Sequence, residues 1–468
     1  VHIDDLDAAR DWLAVCGVCG LVGCSNEAEP DGAAEEGGAG TAAGAGAAAP
    51  GGGSGGRAAG GAGAAATAGS SGAAGTSPNV IGGPAGQGGA GGQSQSQGGK
   101  GGQASPAAGS GGAGGAGPAA GSGGTSAASP QTVYVSGYGP NIHILTLDTQ
   151  TGQLTPRQKQ SGGTAPSYMA FSPDKRFTYV INEANGQSSK ALAFKVNADG
   201  TLTMLNSAVT GGSGSPHLAV HPSGKWLVVA HYASGQVTVI PIKQDGSLGS
   251  AGEPDRGPDD DCENAHQAVF DVSGDHLFVP CLGTNYVIQY VWNAGALGYN
   301  DPPTVAVSGG PRHMAFDPQQ KHAYVLSETA STITSFDYDA ASGKLTNPQT
   351  INGFDKQAGA SAHIVVHPSG KFLYASNRKE NSLGLFTLDT NGRLAKRKFE
   401  TDMLAEPRDF SIDPTGAFLI LANQGSGKPT SAQTVILYRI NTQNGDLTRA
   451  QVVPNGEQPS FTQALVLP

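Results

Sequence analysis

A unit of about fifty residues recurs along this chain, and that period constrains the fold more than any other feature. It starts at Pro166 (PSYMAFSPDKRFTYVINE), Pro216 (PHLAVHPSGKWLVVAHY), Ala265 (AHQAVFDVSGDHLFVPCL), Pro311 (PRHMAFDPQQKHAYVLSE), Ser361 (SAHIVVHPSGKFLYASNR) and Pro407 (PRDFSIDPTGAFLILANQ). Each unit reads as a β-hairpin. A short strand leads into turn chemistry such as Asp317-Pro318-Gln319-Gln320-Lys321, and an apolar strand such as His322–Ser327 returns. A second pair of strands follows, as at Gln236–Ile242 and Ser382–Leu388. It carries turns such as Asp199-Gly200, Asp245-Gly246, Gly343-Lys344-Leu345 and Asn391-Gly392. Four strands at this period make a propeller blade. Val133–Leu147 and Pro459–Leu467 are left over at the two ends of the repeat array. A ring escapes free sheet edges only if those two segments pair. The expectation is an all-β, seven-bladed β-propeller over 131–468, with a composite closing blade.

The residues before 131 are different material. Glycine supplies 73 of the 468 residues, and most of the excess lies before residue 131. Trp12–Gly23 (WLAVCGVCGLVG) is an apolar run of signal-peptide length. It ends in Leu21-Val22-Gly23-Cys24, which resembles a bacterial lipobox. Residues 1–24 therefore read as a signal peptide, with Cys24 as the lipidation site and the mature protein exported and held at a membrane by its lipid. The acidic residues Asp4, Asp5, Asp7 and Asp11 outnumber Arg10 where a basic start is usual. Cys16 and Cys19 form a CxxC with no second ligand pair nearby, and they leave with the signal. Residues 25–130 are Gly/Ala/Ser-rich and lack the apolar surface to offset ordering entropy, so a disordered tether is expected. A coil of that length spans roughly 50–60 Å.

A formal charge of -10 argues against nucleic acid as a partner. No apolar run reaches the roughly eighteen residues of a membrane-crossing helix. In a propeller the first strand of each blade lines the axis. Aligning the units therefore places their second and third positions, and the ends of the returning strands, at one rim. The second positions include Ser167, His217, His266, Arg312, Arg408 and Ser460, and the third include Tyr168, His313, His363 and Asp409. The strand ends carry Asn182-Glu183, Ser327-Glu328, Asn377-Arg378 and Asn423-Gln424. A rim crowded with His, Arg and Glu suits an anionic or carbonyl-bearing ligand.

Those residues also carry a resemblance. Pro166-Ser167-Tyr168 with Asn182-Glu183, Gly310-Pro311-Arg312-His313 with Glu328, Ser376-Asn377-Arg378, Pro407-Arg408 and Ala422-Asn423-Gln424 resemble the motifs of the seven-bladed lactonase family, of the 6-phosphogluconolactonase and carboxymuconate-lactonizing type. The resemblance covers essentially all of 131–468. It implies a small-molecule lactone substrate, anionic in character, with no cofactor and no metal. By the resemblance, His266, Glu328, Arg312 and Arg378 form the catalytic site; Arg408, His313, Glu183 and Asn377, at the same rim, are the second choices, as substrate-binding residues. Two positions depart from the family pattern: Asn264-Ala265, where a further His is common, and Cys281, where an acidic residue is common.

Opening a lactone needs a water nucleophile, a base for its proton, and positive groups facing the developing oxyanion. His266 fits the base, since imidazole titrates near neutrality. Glu328 fits a base, an acid, or a counter-ion that orients Arg312 or His266. Arg312 and Arg378 fit bidentate holders of a carboxylate or phosphate. Three alternatives stay open: a ring-closing enzyme, a non-catalytic binding propeller, and a metal-dependent lactonase using Glu183, Asn377, Asn423 or Asp409. Cys262 and Cys281 are the two cysteines of the repeat region, and in an exported protein they can pair.

Overall fold

The computed structural model describes residues 130–183 and 189–468. The signal segment, Cys24 and the Gly-rich tether lie outside them. The described residues form seven small antiparallel sheets. Six follow the six sequence units in chain order. The seventh pairs Pro459–Leu465 with Gln131–Gly137, followed by Asn141–Asp148 and Gln153–Ser161, so the two ends of the repeat array share one blade. The fold is the all-β, seven-bladed propeller read from the repeat.

Seven apolar clusters lie between blades, one for each neighbouring pair. Val133, Val135 and Leu145 of the closing blade pack on Phe418, Ile420 and Leu437 of the blade before it. Tyr134, Ile142 and Ile144 pack on Val180, Leu192 and Phe194 of the blade after it. The remaining five gaps are filled in the same way. Every blade therefore buries both faces, which is why its central strands read as near-continuous apolar runs. A tyrosine staple joins several blades. The hydroxyls of Tyr134, Tyr179, Tyr324 and Tyr374 donate to the carbonyls of Gly200, Gly246, Gly392 and Gly445, each in a turn of the next blade. Gly246 sits at φ +83°, and a Cβ there would lie 2.2 Å from the Phe177 ring. The tight turn and the close blade approach both require glycine.

Two blades are less regular than the repeat predicts. The unit from Pro216 has three strands, His217–Val220, Trp226–His231 and Gln236–Pro241. Its outer segment forms no fourth strand and is held by the bridges Ile242↔Leu248 and Val237↔Asp255 and by the N–H groups of Gly249 and Gly252, which donate to the Pro241 and Val239 carbonyls. Gly249, Gly252 and Pro254 interrupt that segment, and such residues break a ladder. The unit from Ala265 has an inner strand of two residues, Val269–Phe270, preceded by the bridge Ala265↔Cys281. Here the Cys262–Cys281 disulfide forms, with Cα atoms 5.5 Å apart, and ties down the segment that leads into His266.

Candidate active site

The axial mouth is built by one local device repeated around the ring. A residue with left-handed backbone precedes the inner strand in six blades: Ala165, Asn264, Gly310, Ala360, Glu406 and Gln458. In the seventh it is Gly214, two residues ahead of Pro216. The carbonyls of these seven residues accept the backbone N–H of Glu183, Leu282, Glu328, Arg378, Gln424, Tyr138 and Tyr232 respectively. The return strand of every blade thereby delivers its last side chain to the rim.

The second part of the device is a β-bulge. Pro311 pairs with Ser327 and His313 with Leu326, so Arg312 is the extra residue. Arg408, Ser167 and Ser460 are bulged in the same way. Strict alternation would send neighbouring residues to opposite faces. A bulge re-aims one of them. Arg312 and His313 consequently line the same pocket, as do Arg408 and Asp409, and Ser167 and Tyr168.

That pocket is completed by Tyr138, Glu183, Pro216, His266 and Ser460. Glu328 bridges two arginines beside it. Arg378 donates to its Oε1 at 2.5 Å, and Arg312 Nε lies 2.8 Å from its Oε2, an ion pair without hydrogen-bond alignment. Arg312 also donates through its guanidinium to the Ala362 carbonyl. Burial pushes the Glu328 carboxyl up, but Arg378, Arg312 and Arg408 outweigh it and hold the group below its ordinary value. Burial lowers Arg312 to about 9 against the pull of Glu328, which leaves it cationic at neutral pH. Arg408 donates to Gln424 Oε1 at 3.2 Å and stacks over the Tyr138 ring at 5.2 Å. Tyr138 in turn donates to Glu183 Oε2 at 3.0 Å.

Four histidines lie behind the arginines. Ring centroids are 5.1 Å apart for His266 and His313, 5.7 Å for His217 and His313, and 5.0 Å for His313 and His363. Burial, reinforced by Arg312, Arg408 and Arg378, holds His266 well below its ordinary value, so it is a neutral imidazole at pH 7. Burial and Arg312 do the same to His313, and burial lowers His217 and His363 to about 3. Besides Arg312 Nε, which has its ion pair with Glu328, four buried polar atoms among the pocket residues have no hydrogen-bond partner in the protein: Ser167 Oγ, Glu183 Oε1, His266 Nδ1 and His313 Nε2. Buried polar atoms are ordinarily satisfied. A group of them around one cavity marks where a ligand's polar atoms belong.

Of the residues named from sequence, His266, Arg312, Arg408, His313 and Glu183 line the pocket. Glu328 stands one contact behind it, through Arg312, and Arg378 one contact further, through Glu328. Asn377 is placed elsewhere: its side chain is fully buried, and its amide donates to Ser331 and Ser361. Those bonds occupy it at a strand end rather than at the pocket. Asn423 is engaged in the same manner with Met403, Ala432 and Thr434. Among the described residues, no three His, Cys, Asp or Glu side chains gather into a group suited to a metal ion. Tyr138 was missed. It occupies the strand-end position held by Glu183 and Glu328 in other blades, and extending the alignment into the closing blade would have found it.

The fold and its polar, cationic axial cup define a seven-bladed propeller with a candidate small-molecule site at its axial mouth. Residues 132–463 match the family model described as "Lactonase, 7-bladed beta-propeller". A 6-phosphogluconolactonase of Pectobacterium carotovorum is 33% identical over 347 residues, covering 72% of this chain and 99% of that protein. One from Bacillus subtilis is 28% identical, covering 67% and 91%. The solved structure of a periplasmic gluconolactonase of Pseudomonas aeruginosa superposes with a TM-score of 0.66 at 26% identity, covering 73% of this chain and 100% of that one. The chain belongs to the seven-bladed β-propeller lactonase family and is a lactonase, an ester hydrolase.

Proposed function

We propose that the protein hydrolyses a lactone that carries an anionic group, by metal-independent attack of water. The observation that carries this reading is the set of four unpartnered buried atoms around a pocket flanked by Arg312, Arg378 and Arg408. Three arginines face the carboxylates Glu328 and Glu183, and burial pushes the third carboxyl, Asp409, up to about 8, so positive charge prevails at neutral pH and favours an anion at the mouth. His266 Nδ1 is buried at the pocket with no protein partner, so it takes the proton of the attacking water; burial and the three arginines make it a weaker base than the near-neutral imidazole expected from sequence, so it holds that proton only briefly. Water oxygen bonds to the acyl carbon, and Arg312 faces the charge that develops on the carbonyl oxygen. The bond from acyl carbon to ring oxygen then breaks, the ring oxygen takes the proton held by His266, and the product is a hydroxy acid with the imidazole neutral again. Arg408 holds the anionic substituent. Glu328 is bound to two arginines and held ionised, so its role is the counter-ion that fixes Arg312, with Arg378 locking Glu328 in turn.

The test is a panel of 6-phosphogluconolactone, gluconolactone and a muconolactone given to the purified protein, with and without chelator. Turnover that survives chelation and falls by orders of magnitude in Arg312→Ala supports the reading. Activity abolished by chelation would favour the metal-dependent alternative, and no turnover by a folded protein would favour a binding propeller.

The same reading places the protein outside the cytoplasm, lipidated at Cys24. The Cys262–Cys281 pair supports it, because disulfides persist in oxidising compartments. Labelled palmitate entering the membrane fraction of wild type but not of Cys24→Ser is the expected result. Absence of label from wild type would refute the anchor.

A further inference from the structure

His313, His363 and Asp409 stand at the third position of three consecutive units, and their side chains form a buried row. His313 Nδ1 lies 2.7 Å from His363 Nδ1, and His363 Nδ1 lies 3.5 Å from Asp409 Oδ2. Asp409 Oδ1 accepts the Thr462 N–H at 3.0 Å, which anchors the carboxyl. All three residues are more than nine-tenths buried. At the other end of the row, His313 Nε2 is buried at the pocket with no protein partner.

Two nitrogens 2.7 Å apart need one proton between them. Each ring is neutral and carries a single N–H, so the choice made at His363 fixes the choice at His313. If His363 carries its proton on Nδ1, it faces two acceptors, His313 Nδ1 and Asp409 Oδ2. His313 then bears its proton on Nε2, inside the pocket. If His363 Nδ1 is bare, His313 donates to it and presents a bare Nε2 instead.

We propose that His313 is a catalytic hydrogen-bond donor to the lactone carbonyl oxygen, and that His363 and Asp409 are positioning residues that place the proton on its pocket nitrogen. This rests on the hydrolysis reading above and adds to Arg312 a second, neutral donor at the oxyanion. A neutral imidazole in this role transfers no proton. It strengthens a hydrogen bond as charge develops on the carbonyl oxygen and relaxes when the ring bond breaks.

The arrangement responds to pH. An ionised Asp409 holds the proton on His363 Nδ1 and so selects the donor form. A protonated Asp409 no longer exerts that pull and leaves the row without a preference for the donor form. The groups facing Asp409 are His363, Arg312, Tyr168 and the Thr462 N–H from neighbouring strands, and Arg408 from its own. Burial pushes its carboxyl up to about 8 despite the Thr462 N–H and the two arginines. The donor form of His313 therefore grows as pH rises through that value.

The experiment uses the full-length protein and the best lactone of the panel. Above about pH 8, where Asp409 is ionised, His313→Leu should lower kcat by about 10²–10³-fold with little change in KM, the usual cost of one oxyanion donor. His313→Gln carries an N–H of similar reach and should recover part of that loss. Wild-type kcat should rise as pH passes through about 8. The rise should vanish in Asp409→Asn, which cannot ionise, and in His313→Gln, whose donor does not depend on the row. A loss confined to KM, or a rise that persists in both Asp409→Asn and His313→Gln, overturns the proposal while leaving lactone hydrolysis intact. A folded wild type inert on every lactone would overturn the hydrolysis reading itself.

Discussion

Replacing Glu328 by Gln tests the electrostatic frame of the site, because the substitution keeps shape and removes one charge. The carboxylate holds Arg378 at 2.5 Å and Arg312 at 2.8 Å, and the Arg312 side chain is 3% exposed. Removing the bridging anion leaves two close guanidinium groups facing each other with Arg408 nearby. Breaking a buried ion pair by deleting one partner costs about 3–5 kcal/mol. The Glu328 side chain keeps 23% of its exposure, so the low end, about 3 kcal/mol, is the appropriate figure. A folded region of 338 residues unfolds with an entropy of roughly 0.7 kcal/mol per degree, so Tm should fall by about 4 °C at pH 7. The sign with pH follows from the depressed carboxyl. A group held below its ordinary value contributes stability above that value and loses it as pH falls through the folded-state pKa. Gln does not titrate, so the gap between wild type and variant should close in acid. Differential scanning calorimetry from pH 7 to about pH 3 reads both quantities. A gap under about 1 °C at pH 7, or one that stays constant down to pH 3, would refute the bridging role.

Other consequences follow from the ring and its joints. Breaking the Cys262–Cys281 bond, whose partners are 19 residues apart, should cost about 3 kcal/mol and lower kcat, since it holds the segment entering His266. Equal melting with and without reductant would contradict that. Tyr374→Phe deletes the bond to the Gly445 carbonyl and should cost about 1 kcal/mol, read as a lower urea midpoint. An unchanged midpoint would show that the staple contributes nothing. Deleting 459–468 removes the strand paired with Gln131–Gly137 and opens the cluster around Val133 and Val135. The product should aggregate on gel filtration, and a monomer with native melting would refute ring closure as a source of stability.

Much of this molecule is legible along the chain. A repeat of one period, with turns at fixed offsets, specifies the blades, because each blade needs only local hairpins and an apolar stripe on both faces. The leftovers at each end specify closure, since an unpaired strand at either would be a free edge. The same alignment singles out Arg312, His313, Arg408 and Asp409, because inner-strand starts converge on the axis whatever their sequence separation. Other features were decided by tertiary structure. Glu328 is placed between Arg312 and Arg378 by two adjacent blades, and no linear spacing says which arginine it meets. Asn377 sits one residue before the rim position held by Arg378, aligned with Asn182, Ser327 and Asn423, and its amide is used by Ser331 and Ser361, a matter of local hydrogen bonds. Alternation along a strand would separate Arg312 from His313. The bulge that reunites them follows a left-handed residue, which is glycine at Gly310 but Glu406 and Ala165 elsewhere, so residue type does not announce it. The row from His313 to Asp409 exists only once three blades stand side by side, because hydrogen bonds between strands tens of residues apart depend on ring geometry, which composition and period leave unstated.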